Sequence, residues 1–538
     1  MAAPGRTVVR VGRALERFVE SRQAAPAVGA AALAVYALVS IGLPLRAGRD
    51  LARYLLTYAQ LVDAHVVFPN ALVARTPGTP LVTGLLLEAG PVVSEVGAAA
   101  LYAGSIVAWF CVARRFGPAA ALATAAALLV YPGYVLLFHQ LASDALFAAA
   151  FALVALLLAR VVELPTALRA GALGLGVAAA VYVRPVGQVL VLLGLAPLLA
   201  ARGRSRLAAG AAFAIAVLVP LVSLAGHNAA RGDDFTVVRG GSASLLFRTF
   251  VADRLVEAGN GAASEELARA VARELLPNEP YRSRGIELET FFSSGSSRMH
   301  DDLTVLADRT WGWDDDYRHL GRVAREAILA HPTAYARGVV HDLWRLVLWP
   351  LYAPVEESTA AAADGEAQRF EQGTAPATDD EPIPSSRETP SISTPDGRIR
   401  EVWTSPTDHS FVFRDTADRV RAGELDEEVN ELLGGLPTRT QRPALVELLN
   451  DLSRLYPRPF MWLLVGVAAA IWRRPRGIVV PAALAGAALL VLVATSLAVY
   501  AVAEYAVPVV PAFVLLATAG VLGRYRPVRA GSAPRPQG

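Results

Sequence analysis

The chain has 538 residues, of which 54% are hydrophobic, and its mean hydropathy is +0.40. Soluble domains rarely carry so much apolar content, so this composition argues against a soluble enzyme and favours a membrane protein. The formal net charge of +2 gives no reason to expect nucleic acid as a partner. Cys111 is the single cysteine, which excludes an intrachain disulfide and a cysteine metal site. Every basic residue is arginine, which is typical of a GC-rich genome such as that of an actinobacterium.

The apolar residues gather in ten runs whose lengths approach the roughly 20 residues that a helix needs to cross a bilayer. The first run follows a tail with five arginines, which predicts an uncleaved anchor instead of a signal peptide. We therefore predict an all-α polytopic membrane protein with about ten transmembrane helices. The runs lie at 27–45, 92–113, 117–137, 142–162, 167–183, 186–200, 206–225, 459–473, 477–500 and 505–523.

The arginines of short loops predict which ends of these helices face the cytoplasm. With the N-terminus inside, the arginine-bearing loops fall inside only if residues 226–457 lie outside. This region has 39 acidic residues and 25 arginines, against 9 and 25 in the rest of the chain. Within it, residues 334–352 carry four polar or charged residues and two tryptophans, which favours an interfacial helix over a span. The loops predicted inside contain Arg114–Arg115, Arg160 with Arg169, Arg202–Arg206 and Arg473–Arg476.

These observations divide the chain into five parts. We predict a cytoplasmic basic tail at 1–26, a transmembrane catalytic module at 27–225 with a first external loop at 46–91, a mainly α external region at 226–457 with a flexible segment at 356–400, C-terminal transmembrane helices at 458–523, and a cytoplasmic tail at 524–538.

Acidic residues outside the external region point to one face of the membrane. Of these nine, six fall at the outer ends of spans or in the first external loop, namely Asp50, Asp63, Glu88, Glu95, Asp144 and Glu504. Acids near lipid are costly to keep and are therefore functional candidates. Their position predicts an active site at the outer leaflet.

Arginines accompany these acids. Arg53, Arg75 and Arg184 can bind a phosphate through charge-assisted, bidentate hydrogen bonds. A carboxylate can remove a proton from an attacking hydroxyl while cations stabilise a departing phosphate. Acid, arginine and lipid boundary together predict a reaction on a lipid phosphate, such as the transfer of a sugar from it.

Five motifs in order resemble the C-type membrane glycosyltransferases, in the branch that includes protein O-mannosyltransferases and lipid A aminoarabinose transferases. The resemblance covers residues 25–235 and 459–525 and leaves the external region uncovered. The motifs are "RDLARY" at 49–54, "RTPGTPL" at 75–81, "YPGYVLLFHQLASDALF" at 131–147, "RPVGQ" at 184–188 and "AEYAVPVVPAFVLL" at 503–516.

The resemblance implies a polyprenyl-phosphate sugar donor, an outer-face active site and a catalytic acid in the first external loop, a role that falls on Asp50. It also implies contacts with the donor phosphate and sugar for Arg75, Asp144 and Arg184. Many relatives have two adjacent acids where this chain has Arg49–Asp50, so we predict no metal and no cofactor. The full set of predicted substrate-binding residues is Arg53, Tyr54, Arg75, His139, Asp144, Arg184, Glu504 and Tyr505.

Each of these residues also has a structural interpretation. Asp50 can cap a helix, Asp144 can favour a helix N-terminus, Arg184 can anchor a span end, and His139 can be a hydrogen-bonded interfacial histidine. For the whole chain, we predict transfer of a sugar to a cell-envelope glycan, lipid or protein at the outside of the plasma membrane. A transporter or lipid flippase is the alternative, and a scaffold that binds partners through its external region stays open.

Overall fold

The computed structural model of the protein describes residues 16–232, 235–348, 393–406, 408–440 and 442–524. It is 74% helical, which confirms the predicted all-α class. Most of the predicted flexible segment and of the two terminal tails lies outside the described residues. Two small sheets occur among the described residues: a parallel pair of Arg46–Ala47 with Gln140–Leu141, and an antiparallel hairpin of Ile399–Trp403 with His409–Phe413.

The predicted apolar runs all correspond to helical segments. Five helices are long and apolar enough to cross a membrane, and a bent pair makes a sixth if it is one span. The five are Pro91–Phe116, Ser143–Glu163, Arg204–Ala230, Pro443–Arg473 and Val479–Ala498, and the pair is Pro118–Leu129 with Pro132–Phe138. Shorter apolar helices occupy Ala24–Ser40, Ala167–Val183, Pro185–Ala200 and Val507–Leu522. The chain thus has the helices of a polytopic membrane protein, and the number of spans stays a prediction.

A proline follows two of the breaks between these helical segments. The bent pair turns by 63° at a break that Pro132 follows. Proline lacks an N–H and is favoured in the first turn of a helix, so the chain ends one helix and begins the next there. Pro185 likewise opens a 3₁₀ segment, Pro185–Gly194, which leads into the Leu195–Ala200 helix.

The predicted first external loop, residues 46–91, is mainly helical and packs between the apolar helices and the rest of the predicted external region. Its helix Leu51–Gln60 buries Leu51, Leu55 and Leu56. The other two helices of the loop are Pro69–Val73 and Gly78–Glu88.

The predicted external region, residues 226–457, has two parts with different cores. Residues 243–327 bury a separate cluster that includes Phe250, Tyr281 and Phe291. In contrast, apolar residues between 399 and 456 belong to the same core as the apolar helices. The helices of the two parts are Gly241–Phe247, Ala262–Glu274, Leu288–Ser293, Ser297–Trp311, Arg318–Ala330 and Pro332–Leu348, then Thr416–Leu433 and Pro443–Leu455.

The second part docks on the first external loop through polar contacts. The Arg421 guanidinium lies 2.6 Å from the Asp63 carboxylate, and His65 lies 2.6 Å from Asp418. In the helix that follows the loop, the Ser94 hydroxyl donates to the Gly435 carbonyl at 3.2 Å. These contacts, together with Leu425, Val429 and Leu433 in the shared core, hold the loop against the second part and so help to hold the site described next.

Candidate active site

A short parallel pairing brings the first external loop to the start of the Ser143–Glu163 helix. Arg46 N–H donates to the His139 carbonyl at 3.0 Å, and Gly48 N–H donates to the Leu141 carbonyl at 3.3 Å. A Cβ at Gly48 would lie 2.5 Å from the Ala142 Cβ, so only glycine allows this close approach. The register pairs residue 46 with residue 140. The same offset of 94 residues separates Asp50 from Asp144.

The "RTPGTPL" motif attaches a second segment at the same place. The Thr79 hydroxyl donates to the Val183 carbonyl at 2.9 Å, and a Cβ at Gly78 would lie 2.6 Å from the Tyr182 carbonyl oxygen. This backbone approach places Arg75, three residues before Gly78, beside the chain that leads to Arg184. The motif therefore has a packing reason as well as a chemical one.

Asp50 has a strained backbone and does not cap the helix that it precedes. Its φ is 65° and its ψ is 13°, which is the left-handed region that few residues other than glycine adopt. Its side chain accepts no capping hydrogen bond from the Leu51–Gln60 helix, so the helix-cap interpretation of the sequence is wrong. Instead the carboxylate lies 3.6 Å from both the Arg53 and the Arg75 guanidinium.

A second group of charges surrounds Asp144 in the first turn of its helix. Arg184 forms a direct ion pair with Asp144. Arg49 lies 4.0 Å from Asp144 and 3.9 Å from Glu504. The ring of Tyr505 lies against both arginines, 4.7 Å from Arg49 and 4.5 Å from Arg184 between guanidinium carbon and ring centroid, a distance at which cation–π attraction operates.

Tyr54 connects the two groups. Its ring lies 5.3 Å from the Arg75 guanidinium, and its hydroxyl forms a hydrogen bond with Ser143. We call the whole assembly the arginine–carboxylate cluster. Its members are Arg49, Asp50, Arg53, Tyr54, Arg75, Asp144, Arg184, Glu504 and Tyr505.

Two carboxyls of the cluster have opposite pKa shifts. Burial by itself would raise the pKa of Asp50, but the guanidiniums of Arg75, Arg53 and Arg49 outweigh it and lower the pKa below its ordinary value. Burial and then the charge of Asp144 raise the pKa of Glu504, and nearby arginines offset only part of this effect. Asp50 is therefore ionised at neutral pH, whereas Glu504 accepts a proton more readily than an exposed glutamate does.

The cluster lies at the ends of apolar helices. Asp144 begins a helix of 21 residues, and the other end of that helix carries Glu163, which pairs with Arg115 at 2.5 Å. At 1.5 Å per residue the two ends are about 30 Å apart, which is the thickness of a hydrocarbon core. The cluster and the Arg115–Glu163 pair therefore lie at opposite boundaries of the apolar bundle.

His139 differs from the other predicted substrate-binding residues because it lies in the packed core next to the parallel pairing. Its ring is fully buried, Nε2 lies 3.1 Å from the Ser40 hydroxyl, and Nδ1 lies 2.9 Å from the Val135 carbonyl. It also stacks on Tyr36 at 4.0 Å. These contacts correspond to the alternative interpretation, a hydrogen-bonded histidine, and they hold the strand that the first loop pairs with.

Two residues at the cluster, Arg49 and Ser143, were not among the predicted site residues. Arg49 joins Asp144 to Glu504, although the sequence analysis treated it only as a neighbour of Asp50. Ser143 hydrogen-bonds with Tyr54. The signal for Arg49 was its place in "RDLARY", but its partners lie 95 and 455 residues away and cannot be read from local spacing.

The remaining outer-end acids make contacts elsewhere. Asp63 pairs with Arg421, Glu95 pairs with Arg439, and Glu88 interacts with the Tyr58 hydroxyl. The Asp63 and Glu95 pairs fasten the first loop and the helix after it to the second part of the external region, whereas Glu88 and Tyr58 interact within the loop. Within the described ranges, no group of three or more His, Cys, Asp or Glu residues is placed to hold a metal ion.

No protein-family model matches the chain, and no curated protein matches its sequence. Among solved structures, it is similar to the crystal structure of ArnT from Cupriavidus metallidurans bound to undecaprenyl phosphate. The identity is 16%, the match covers 93% of this chain and 77% of that chain, and the TM-score is 0.31. The function proposed below rests on the residues of the site.

Proposed function

We propose that the protein is a membrane glycosyltransferase that transfers a sugar from a polyprenyl-phosphate donor to a cell-envelope acceptor. One observation carries this proposal: an ionised carboxylate, Asp50, lies between the guanidiniums of Arg53 and Arg75 at the end of an apolar bundle. A lipid-linked donor has its phosphate at the membrane boundary, so its reacting bond and this carboxylate would meet there. The sequence motifs that resemble C-type glycosyltransferases support the same conclusion.

The charges of the cluster suit a phosphate. It contains four arginines, Arg49, Arg53, Arg75 and Arg184, against three carboxylates, so one positive charge is in excess. A sugar phosphodiester carries one negative charge, which would balance that excess. Arginine is the preferred residue for such contacts because its planar fork matches two phosphate oxygens.

In the proposed reaction Asp50 is the catalytic base. It takes the proton of the acceptor hydroxyl while the hydroxyl oxygen forms a bond to the anomeric carbon of the sugar. The bond between that carbon and the phosphate oxygen breaks, and its electron pair leaves with polyprenyl phosphate. The arginines stabilise the additional negative charge of this leaving group.

The same arginines also determine the pKa of the catalytic base, Asp50. In the free enzyme they hold the pKa of Asp50 low, which keeps it ionised but makes it a weak base. A donor phosphate on Arg75 and Arg49 would neutralise part of their field, so the pKa of Asp50 would rise when the substrate is bound. Asp50 would then become a stronger base only in the loaded complex.

The placement of charge favours an enzyme over a transporter. A transporter would be expected to have its ionisable residues near the middle of the bilayer, along the path of its substrate. The residues of the cluster lie instead before, after or in the first turn of helices, at one boundary of the bundle.

A direct test uses purified protein in lipid nanodiscs with undecaprenyl-phosphate sugars that carry different labelled hexoses and pentoses. We expect at least one donor to release undecaprenyl phosphate in step with a labelled glycosylated product when envelope extract is supplied. If every donor stays intact, although each binds, the proposal is wrong.

We further propose that the cluster faces outward across the plasma membrane. The arginines Arg114, Arg115, Arg160 and Arg169 lie at the end of the bundle opposite to the cluster, and short arginine-bearing loops stay in the cytoplasm. The same rule places residues 226–457 outside.

This topology predicts labelling by a membrane-impermeant maleimide in intact cells. In a Cys111→Ser background, cysteines that replace the exposed Glu265 and Glu427 should both react, because they lie on either side of the Pro332–Leu348 helix. A cysteine at the exposed Arg202 should react only after lysis. Reaction of Glu265→Cys without Glu427→Cys would mean that the chain crosses the membrane between them.

A second prediction concerns pH and Glu504. Because the pKa of Glu504 is already raised, a bound anion raises it further, and donor binding then takes up a proton. Donor affinity should therefore fall as pH rises from the pKa of Glu504 in the free protein, which is above the ordinary glutamate value, to its higher pKa in the complex, by at most about tenfold per pH unit.

The affinity for undecaprenyl-phosphate mannose, measured as a function of pH, tests this effect, because the phosphodiester keeps one negative charge over the whole pH range. Glu504→Gln should flatten the pH dependence, whereas Glu88→Gln should leave it unchanged, since Glu88 is exposed and outside the cluster. A parental pH dependence in Glu504→Gln would assign the effect to another group.

A further inference from the structure

A cavity of 310 Å³ adjoins the arginine–carboxylate cluster on the side of the external region. Arg53 and Arg75, which both contact Asp50, are also part of its wall. Its volume is at the lower end of the range for small-molecule sites, about 300–1,000 Å³. Residues of the external region complete the wall, and the resemblance to glycosyltransferases does not cover them.

Several contacts of Arg239 hold the part of the cavity wall that comes from the external region. Arg239 N–H donates to the Val73 carbonyl at 2.9 Å, which ties the external region to the first loop. The Arg239 guanidinium lies between the rings of Trp313 and Tyr317, at 3.3 and 4.3 Å from their centroids, and pairs with Asp308. The cavity therefore has a fixed shape on this side.

The arginines on the wall are all opposed by carboxyls. The three lining arginines are Arg53, Arg75 and Arg239, of which the first two face Asp50 and the third faces Asp308. Asp301 also lines the cavity, with 29% of its side chain exposed. Asp316 lies 4.0 Å from Arg239 as well, so four carboxyls oppose three arginines, although only Asp301 is itself part of the wall. Burial raises the pKa of Asp308 to about 7, and even with Asp308 protonated no excess positive charge is left for an anion.

The rest of the lining combines hydroxyl and apolar groups. Ser244 and Thr304 contribute hydroxyls, while Phe68 and Tyr317 contribute aromatic surface. The Asp301 carboxylate and the guanidinium N–H groups supply hydrogen-bond acceptors and donors. A sugar ring presents hydroxyls at its rim and C–H groups on its faces, and both kinds of surface find partners here.

We propose that this cavity binds the acceptor, and that the acceptor group is the neutral terminal sugar of a glycan. This inference rests on the proposed function and specifies its second substrate. The shared arginines put the cavity next to Asp50, so an acceptor hydroxyl at its inner end reaches the base. The absence of excess positive charge disfavours a phosphate in this role, and a volume of 310 Å³ suits a single sugar ring better than a peptide chain.

The test compares two exposed serines in short helices of the same core. Ser244 lines the cavity and Ser293 does not. Ligand-observed NMR would measure binding of maltose, cellobiose, mannobiose and galactobiose to the full chain in nanodiscs. We expect at least one disaccharide to bind, Ser244→Trp to weaken it at least tenfold by filling the cavity, and Ser293→Trp to leave its affinity unchanged.

A second variant keeps the shape of the cavity. Asp301→Asn removes a charged acceptor of sugar hydroxyls, and we expect it to weaken the same disaccharide several-fold. Undecaprenyl phosphate should bind Ser244→Trp and Asp301→Asn as it binds the parental protein, because the cavity does not take the donor.

Three results would overturn the proposal: no neutral disaccharide binds the parental protein, only a glucuronic-acid disaccharide or a serine-rich peptide binds it, or Ser244→Trp and Ser293→Trp behave alike. Loss of undecaprenyl phosphate binding in Ser244→Trp would assign the cavity to the donor. Failure of the parental protein to turn over any donor would instead reject the proposed function, so the two failures are distinct.

Discussion

Asp50→Asn should lower the rate of sugar transfer by about 10²–10⁴, the usual cost of losing a general base. Asparagine has nearly the same shape, so the acceptor and the donor still bind, but its amide cannot take the hydroxyl proton. Measurement of kcat with saturating undecaprenyl-phosphate sugar, together with the affinity for undecaprenyl phosphate, would separate a lost base from a lost site.

The backbone of Asp50 makes asparagine the informative substitution. At a φ of 65° the chain is in the left-handed region, which asparagine and aspartate tolerate better than other residues with a Cβ do. Asp50→Ala would therefore combine loss of the base with a backbone penalty. Asp50→Asn also leaves Arg53 and Arg75 without their carboxylate, so a thermal unfolding scan must accompany the kinetics.

Asp63→Asn is the matched control. Asp63 lies in the same loop and pairs with an arginine at 2.6 Å, and several contacts of Arg421 and His65 lower its pKa in spite of some burial. It is not in the arginine–carboxylate cluster, so its transfer rate should stay close to the parental one. A parental rate in Asp50→Asn would show that another group takes the proton, with Asp144 the next candidate.

The stability of the folded protein should also depend on the ionisation of Asp50. The pKa of Asp50 is lowered in the folded protein, so its ion pairs stabilise the fold above the ordinary aspartate pKa of about 3.9 and lose this contribution as pH falls below it. Acid therefore weakens the cluster, while neutral pH leaves it intact.

The helices were predictable because each depends on a local pattern. Ten apolar runs predicted ten helical segments, and "YPGY" contained the proline at which one run bends. The first run was predicted to reach residue 45, but its helix ends at Ser40, because the chain must turn there to pair Arg46 with Gln140. That pairing joins segments about 94 residues apart and has no local signal.

The residues of the site were predictable to a similar degree, whereas the ion pairs that these residues form with one another were not. Carboxylates and arginines at helix ends pointed to one boundary, and the structure brings together every predicted site residue except His139. The partners of Arg49 and Arg184 depend on how distant helices pack. Arg239 and its cavity were missed because the external region has no motif, and a buried arginine looks like a surface arginine in sequence.

Arg184→Lys should lower kcat/KM for the donor by about tenfold to a hundredfold. The lysine keeps the positive charge and can still pair with Asp144, but it loses the planar fork that binds two phosphate oxygens. A hydrogen bond to a charged group contributes about 1.5–3 kcal/mol, and each 1.4 kcal/mol is about tenfold in binding. Steady-state kinetics with labelled undecaprenyl-phosphate sugar would measure the change.

Lysine is preferred to alanine because Asp144 is buried. Arg184→Ala would leave this carboxylate with only Arg49 at 4.0 Å, and removing one partner of a buried ion pair commonly costs about 3–5 kcal/mol of stability. Low activity in the alanine variant would therefore be ambiguous. In the lysine variant the unfolding temperature should remain close to the parental value, so lower activity reports on the donor.

Arg115→Lys is the corresponding control, because Arg115 pairs with Glu163 at one end of the Ser143–Glu163 helix and Arg184 pairs with Asp144 at the other end. Arg115 contacts Glu163 through two hydrogen bonds of 2.5 and 3.2 Å, so the substitution removes the same kind of fork about 30 Å from the cluster. It should affect stability slightly and donor kinetics not at all. If Arg184→Lys and Arg115→Lys both keep parental kinetics, and Arg184→Ala does so as well, then Arg184 only anchors the end of its helix and the donor phosphate must bind to Arg49, Arg53 or Arg75.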